Sequence, residues 1–224
     1  MIVANSQQDI NFNIPTSYDK VGIKISGGAD SAIVAYMLAK YVVEERNDIT
    51  IIPITVNHEG KAYQEPFAKD IIKHLTNVFG NIFGEHEVGY CPDTTDGPEG
   101  SQYMALQEAL VLSLYRDNKI QCHFIGVTRN PPNEAMDIIG WNGPADDRSP
   151  GEQLRSTSNG DHTSFRPLIN IDKKGVAELY ETFGVTDSLF PLTRSCEDFT
   201  DDFSKHCNKC WFCKERLWGF GRYI

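Results

Sequence analysis

Two groups of residues in this chain carry recognisable chemistry. The first is Ser26-Gly27-Gly28-Ala29-Asp30-Ser31. Two adjacent glycines let a backbone curl tightly and approach a ligand closely. The group follows a short, mostly β-branched apolar run (21–25) and precedes an apolar-rich segment (31–45), which reads as strand, turn and helix. The start of that helix aims unsatisfied N–H groups at the turn, where a phosphate is favoured. Ser26 and Ser31 add hydroxyl donors, and Asp30 can orient the loop or help hold Mg2+. A Walker loop would need Gly-Lys-Ser/Thr and a dinucleotide fold G-x-G-x-x-G, and neither is present. A plain strand-to-helix turn, capped by Asp30 or Ser31, has the same local pattern without the ligand.

The second group is Cys196, Cys207, Cys210 and Cys213, spaced C-x10-C-x2-C-x2-C. Four thiolates at such spacing can close a tetrahedral Zn2+ site. An iron–sulfur cluster is the rival occupant, because C-x2-C-x2-C recurs in cluster ligation. A redox disulfide and unliganded thiols complete the alternatives. Lys205, His206, Lys209 and Lys214 nearby offset the negative charge of such a site. The other two cysteines, Cys91 and Cys122, are isolated, and Cys122 falls in an expected strand.

The elements that must position these groups alternate. A second strand (49–56) ends at Asn57, and a helix (64–79) shows Phe67, Ile71, Ile72, Leu75 and Val78 at three- and four-residue steps. A third strand is expected near 85–89, a loop over 91–100, a helix over 102–115 and a fourth strand over 122–127. A long polar stretch (128–163) follows, then a helix over 173–183. This alternation predicts an α/β fold, a parallel sheet flanked by helices. Ligands of such sheets bind at the carboxyl ends of the strands. There Ser26-Gly27-Gly28, Asn57 and Thr128-Arg129, the ends of the first, second and fourth strands, should converge. Residues 1–192 are expected to form the main domain and 193–224 a small cysteine-bearing lobe packed on it.

Composition narrows the partners. The chain has 224 residues, 40% of them hydrophobic, enough for one sizeable core. No run of 18 apolar residues suggests a membrane span, and the first twenty residues lack the pattern of a signal peptide. A cytoplasmic protein is expected. The net charge of -10 comes without a Lys/Arg cluster, so direct nucleic-acid binding is not expected and a small-molecule substrate is.

The glycine loop resembles the SGGxDS signature of the PP-loop ATP pyrophosphatase superfamily, whose members cleave ATP between the α- and β-phosphates. With the cysteine site, the chain resembles one family of it, 7-cyano-7-deazaguanine synthase. Pro167-Leu168-Ile169-Asn170-Ile171-Asp172-Lys173 is similar to the family's PL-x-x-x-x-K segment. Thr193-Arg194-Ser195-Cys196 is similar to its T-x-S/T-C, and Cys207, Cys210, Cys213 and Arg216 match its ending. The resemblance implies ATP, Mg2+ and a structural Zn2+ held by the four cysteines, with a homodimer as the assembly. It also implies a ligase that activates the carboxylate of 7-carboxy-7-deazaguanine, forms the amide with ammonia, and dehydrates it to the nitrile. Asp30, Ser31 and Lys173 are then the candidate catalytic groups. Ser26, Gly27, Gly28, Asp30, Ser31, Val56, Asn57, Gly126 and Arg129 are the candidate nucleotide contacts.

Three segments depart from the family. Gly100-Ser101-Gln102 stands where it has G-R-N, and Asn57-His58-Glu59-Gly60-Lys61 where it has G-Q-R/K-H. No Y-P-D-C-R follows the fourth strand. His58 and His86 are candidate acid–base groups, Trp141 a candidate to stack on a flat ring, and Glu134 and Asp137 candidates for the guanine-like edge of the acceptor. A different PP-loop enzyme, amidating another acid or activating a nucleobase carbonyl for sulfur transfer, fits the same two motifs. So does a nucleotide- and zinc-binding partner protein without turnover.

Overall fold

A short antiparallel pair opens the chain, β1 (Ile2–Val3) with β2 (Ile10–Asn11). Two-residue strands show no periodicity, so this pair has no sequence signal. The computed structural model describes residues 1–58, 63–92, 99–140, 148–156, 162–196, 203 and 205–224. After the pair come β3 (Lys20–Lys24), α1 (Ala29–Glu45), β4 (Thr50–His58), α2 (Gln64–Phe79), β5 (Glu87–Cys91), α3 (Glu99–Arg116) and β6 (Cys122–Phe124). Then follow α4 (Asn133–Ile139), β7 (Leu154–Ser156), β8 (Thr163–Phe165), α5 (Lys173–Thr182) and α6 (Trp211–Phe220). A 3-10 turn, Phe190–Leu192, lies between the last two helices.

The main sheet has the order β5-β4-β3-β6-β8-β7. Every pairing is parallel except that of the edge strand β7. β3 sits centrally, with Val21 opposite Ile51 on one side and Cys122 on the other. Strand alternation sends Val21, Ile23 and Ile25 into the larger core, formed with α1, α2 and α5. Gly22 faces the opposite side, where a Cβ would lie 2.9 Å from Ile54 and 3.1 Å from His123. On that side Ile54 and Ile120 pack with Val111 and Leu114 of α3. The sheet therefore has helices on both faces, and β3 delivers the glycine loop to its carboxyl edge.

Several boundaries differ from expectation. α1 begins at Ala29, because Gly28 already has the extended backbone of a cap. The third strand runs to Cys91. The fourth ends at Phe124, and the chain then leaves the sheet toward α1. The stretch 128–163 is not one loop, since α4, β7 and the start of β8 lie in it. Its Pro and Gly punctuate a helix: Pro132 caps α4 and Gly140 ends it with φ of 63°. Among the described residues no helix is long and apolar enough to cross a membrane.

Candidate functional site

The glycine loop is fixed from three sides. Gly27 has φ of 81°, a left-handed conformation that a side chain would strain, and a Cβ there would sit 2.6 Å from Phe67 Cβ. Its carbonyl accepts from the Arg194 N–H at 2.8 Å. Within the loop, Ser31 Oγ donates to the Gly28 carbonyl at 3.1 Å and accepts from the Ser26 N–H at 3.2 Å. Ser26 Oγ accepts from the Gly28 N–H at 3.4 Å. No side chain caps the start of α1, so its first N–H groups remain available to an anion.

Gly126 presses the chain after β6 onto this helix start. A Cβ on it would lie 2.6 Å from Ser31 N and 2.7 Å from Asp30 C. Lys173, the first residue of α5, is 4% exposed, and its ammonium reaches both Asp30 carboxylate oxygens at 2.7 and 2.5 Å. The cap beneath it is Asp172, which accepts from the Lys174 and Gly175 N–H groups and sets the direction of α5. Asp30, Ser31, Gly126 and Lys173 thus meet at one place, although they span most of the chain.

Two residues that no local motif flags complete the charge network. Glu215 on α6 is fully buried, 3.8 Å from the Lys173 ammonium and 2.6 Å from Arg148 Nη2. Arg148 also donates to Thr128 Oγ1 and Asn130 Oδ1. The order Asp30, Lys173, Glu215, Arg148 alternates in sign, which makes two buried and two half-buried charges tolerable. Gly219 lets α6 close on Lys173, whose Cγ would be 2.4 Å from an added Cβ.

The remaining expected residues lie as follows. Val56 and Asn57 are buried at the end of β4, and Asn57 Oδ1 accepts from the Glu65 N–H at 3.4 Å. Val56, Thr55 and Ile54 line an open pocket of ≈ 250 Å³ with Lys24, Ile25, Ser26 and Gln107. Arg129 pairs with Asp172 at 3.2 Å and with Gln7 at 3.1 Å. His86 donates from Nε2 to Thr55 Oγ1 at 2.8 Å, and burial pushes its pKa down. Glu134 and Asp137 are exposed on α4. Cys122 is buried in the sheet, its thiol pushed up to about 12 by burial, and Cys91 is buried at the end of β5. Trp141, Glu59, Gly60, Lys61 and the His58 side chain lie outside the described residues.

The four sulfurs of Cys196, Cys207, Cys210 and Cys213 all lie within 4.8 Å of one another. Cys207 and Cys213 Sγ are 3.9 Å apart. A single tetrahedral ion with metal–sulfur bonds of about 2.3 Å sets its ligands about 3.8 Å apart, so the donor set fits one ion. In a four-iron cluster each thiolate binds its own iron, which holds the sulfurs farther apart. Backbone N–H groups of Lys209 and Cys210 donate to Cys207 Sγ, and that of Cys207 to Cys196 Sγ, support typical of thiolate ligands. As neutral thiols the group is self-stabilised: hydrogen bonding with Cys210, then burial, holds the Cys213 thiol far above its ordinary value. A bound cation reverses this by favouring the thiolates.

This site is bolted to the glycine loop. Arg194, whose N–H holds Gly27, donates from Nε to the Cys196 carbonyl at 3.1 Å and from Nη1 to the Phe203 and Lys205 carbonyls. Arg216, fully buried on α6, donates to Thr193 Oγ1 and Ser195 Oγ, both at 2.9 Å, and lies 3.8 Å over the Phe190 ring. Burial brings its pKa down to about 10, so it stays charged.

No family model and no curated protein matches the chain. Among solved structures, it is similar to the U34-tRNA thiolase NcsA from Methanococcus maripaludis with its [4Fe-4S] cluster. The TM-score is 0.51 and the identity 16%, over 89% of this chain and 64% of that one. The chain therefore spans under two thirds of that structure's length. A likeness at this identity is one of fold: a mostly parallel sheet flanked by helices. The four-cysteine cluster forms part of a C-terminal lobe suited to a metal.

Proposed function

We propose that this protein is an ATP-dependent ligase that adenylates the carboxylate of 7-carboxy-7-deazaguanine and converts it, with ammonia, to the amide and then the nitrile. One observation carries the ATP reading. Lys173 and Asp30 meet over an uncapped helix start, between two glycines that admit no side chain. A triphosphate needs such a place, with N–H donors, a cation and a carboxylate for its Mg2+.

In the proposed reaction an acceptor carboxylate oxygen attacks the α-phosphorus, and the bond to the β-phosphate breaks with release of pyrophosphate. Ammonia then adds to the acyl carbon, and AMP leaves with the electron pair of its C–O bond. A second ATP activates the amide oxygen in the same way. Loss of AMP and protons leaves the nitrile. Lys173 neutralises charge on the departing pyrophosphate, and the loop amides hold it in place.

The acceptor rests on the similarity of the segments around Lys173, Cys196 and Arg216 to the synthase family. The cysteine site is read as structural Zn2+, held by Cys196, Cys207, Cys210 and Cys213, because their sulfurs are spaced for one ion. The same reading takes the protein as a cytoplasmic homodimer with small-molecule reactants. Sulfur transfer to a nucleobase, as in the tRNA thiolase of similar fold, is the second reading, and an iron–sulfur cluster in the cysteine site would favour it.

The test combines the purified protein with ATP, Mg2+, ammonium and the acid, followed by mass spectrometry, with metal analysis of the same sample. AMP, pyrophosphate and the amide or nitrile should form only when the acid is present, with about one zinc per chain. ATP that binds while the acid stays untouched would remove the acceptor assignment. Absence of ATP binding would remove the loop assignment, and iron with sulfide would remove the zinc.

A further inference from the structure

Lys24 is the residue of the sheet that the fold and the charge network leave unexplained. It ends β3, two residues before Ser26, and lines the pocket beside the glycine loop. Among the described residues the other walls carry no charge: Ile25, Ser26, Ile54, Thr55, Val56 and Gln107. Among the described residues, no hydrogen bond or ion pair holds its ammonium. The carboxylate that acts on it, Glu108, instead stands 3.1 Å from His162 Nε2 and is half exposed. Burial lowers the Lys24 pKa more than Glu108 raises it, so among the described residues the ammonium loses water without gaining a hydrogen bond or ion pair.

From this we infer that the pocket is an anion site and that Lys24 anchors the carboxylate of the acceptor beside the glycine loop. The inference rests on the adenylation reading above and names the group that presents the acceptor. A partly desolvated ammonium needs a full negative charge to offset the lost water, and a neutral purine ring does not supply one. The phosphates of ATP have their own donors in the loop and their own cation in Lys173. The anion left for Lys24 is therefore the reacting carboxylate. Two strand residues of about 3.3 Å each separate Lys24 from Ser26, so a carboxylate held there lies within reach of an α-phosphate on the loop. The amide product carries no charge and loses this anchor. The pocket thus selects acid over amide.

The test uses Lys24→Met in the full chain, with 7-carboxy-7-deazaguanine and its amide as probes. Met keeps the length and removes a poorly solvated charge, so the melting temperature should not fall. The KM for the acid should rise about 10- to 100-fold, the span expected for one charged hydrogen bond. ATP affinity and the KM for the amide should change less than about twofold. Lys24→Arg should recover most of the acid affinity.

A second readout needs no turnover. Labelling of Lys24 by an amine-reactive reagent, followed by peptide mass spectrometry, should be suppressed by the acid and not by the amide. Equal protection by both, or none by the acid, overturns the anion site. Loss of ATP affinity instead of acid affinity assigns Lys24 to the nucleotide and also overturns it. Protection by the acid without any AMP formation would leave the anion site standing and remove the adenylation reading.

Discussion

Replacing Glu215 by Gln should destabilise the protein more than any surface charge change. The carboxylate is fully buried and answers two cations, Arg148 at 2.6 Å and Lys173 at 3.8 Å. Gln keeps the shape and removes the charge. Arg148 is then left with Thr128 and Asn130 as neutral partners, and Lys173 with Asp30 alone. Breaking a buried pair by deleting one partner costs about 3–5 kcal/mol, because the remaining charge stays desolvated. For a domain of this size each kcal/mol lowers the melting temperature by roughly 2–4 °C, so a fall of about 6–20 °C is expected. Denaturant unfolding of the metal-loaded protein measures the free energy, and a scan measures the temperature. The double variant Arg148→Met with Glu215→Met should regain much of the loss, since removing both charges leaves neither uncompensated. A single-variant cost below about 1 kcal/mol, or a double variant whose cost is the sum of the two singles, would refute the pairing.

Two further outcomes follow from distances and burial. Gly126→Ala places a Cβ 2.6 Å from Ser31 N and 2.8 Å from Ser31 Cα, backbone atoms that cannot step aside. Overpacking of about 1–3 kcal/mol and a loss of ATP affinity of about tenfold or more are expected. Unchanged ATP binding by calorimetry would show that the helix start is not the phosphate site. The second concerns acid. His123 is 1% exposed, and burial, with Lys24 and His162 adding, pushes its pKa down to about 3. Its folded pKa lies below the unfolded value of about 6.5, so between those values only the unfolded chain takes up the proton. Stability should fall as pH drops from about 6.5 toward 3, by up to about 1.4 kcal/mol per unit. Denaturant unfolding across that range should show the slope in the parent and a shallower one in His123→Gln, and parallel slopes would discard the assignment.

The glycine loop and the cysteines were legible because their chemistry is local in sequence. Ser26 to Ser31 and Cys207 to Cys213 each sit within one turn of chain. Lys173 was legible only as part of a motif, since its partner Asp30 lies 143 residues away. Glu215 and Arg148 were not legible. An acidic residue on a helix and an arginine in a Pro- and Gly-rich stretch are ordinary surface features until packing buries them together. Lys24 was hidden for another reason: one lysine in a short apolar run carries no motif, and only its place opposite Ile54, in the pocket beside the glycine loop, shows what it faces. Arg129 illustrates the converse. Its position after β6 suggests a ligand for a phosphate or a carboxylate, and nothing in the sequence shows that its guanidinium also meets Asp172. The helix α4 and strand β7 were hidden by length, since three to seven residues do not establish a period.

The two motifs are also one mechanical unit. The segment from Thr193 to Cys196 runs beneath the glycine loop, where Arg194 binds the Gly27 carbonyl through its N–H and the cysteine-bearing chain through its guanidinium. Arg216 fastens the same segment to α6 through Thr193 and Ser195. From α6, Glu215 reaches Lys173, and Lys173 reaches Asp30 in the loop. The loop is therefore held by the cysteine lobe through two routes, one along the backbone and one through charges. Gly27 occupies a conformation that costs most residues energy, and only surrounding contacts keep such a backbone in one state. Four thiolates closed around one ion would add to that rigidity, because metal binding energy appears directly as ordering of the chain that carries the ligands. On these grounds a cysteine site remote in sequence helps to shape the glycine loop.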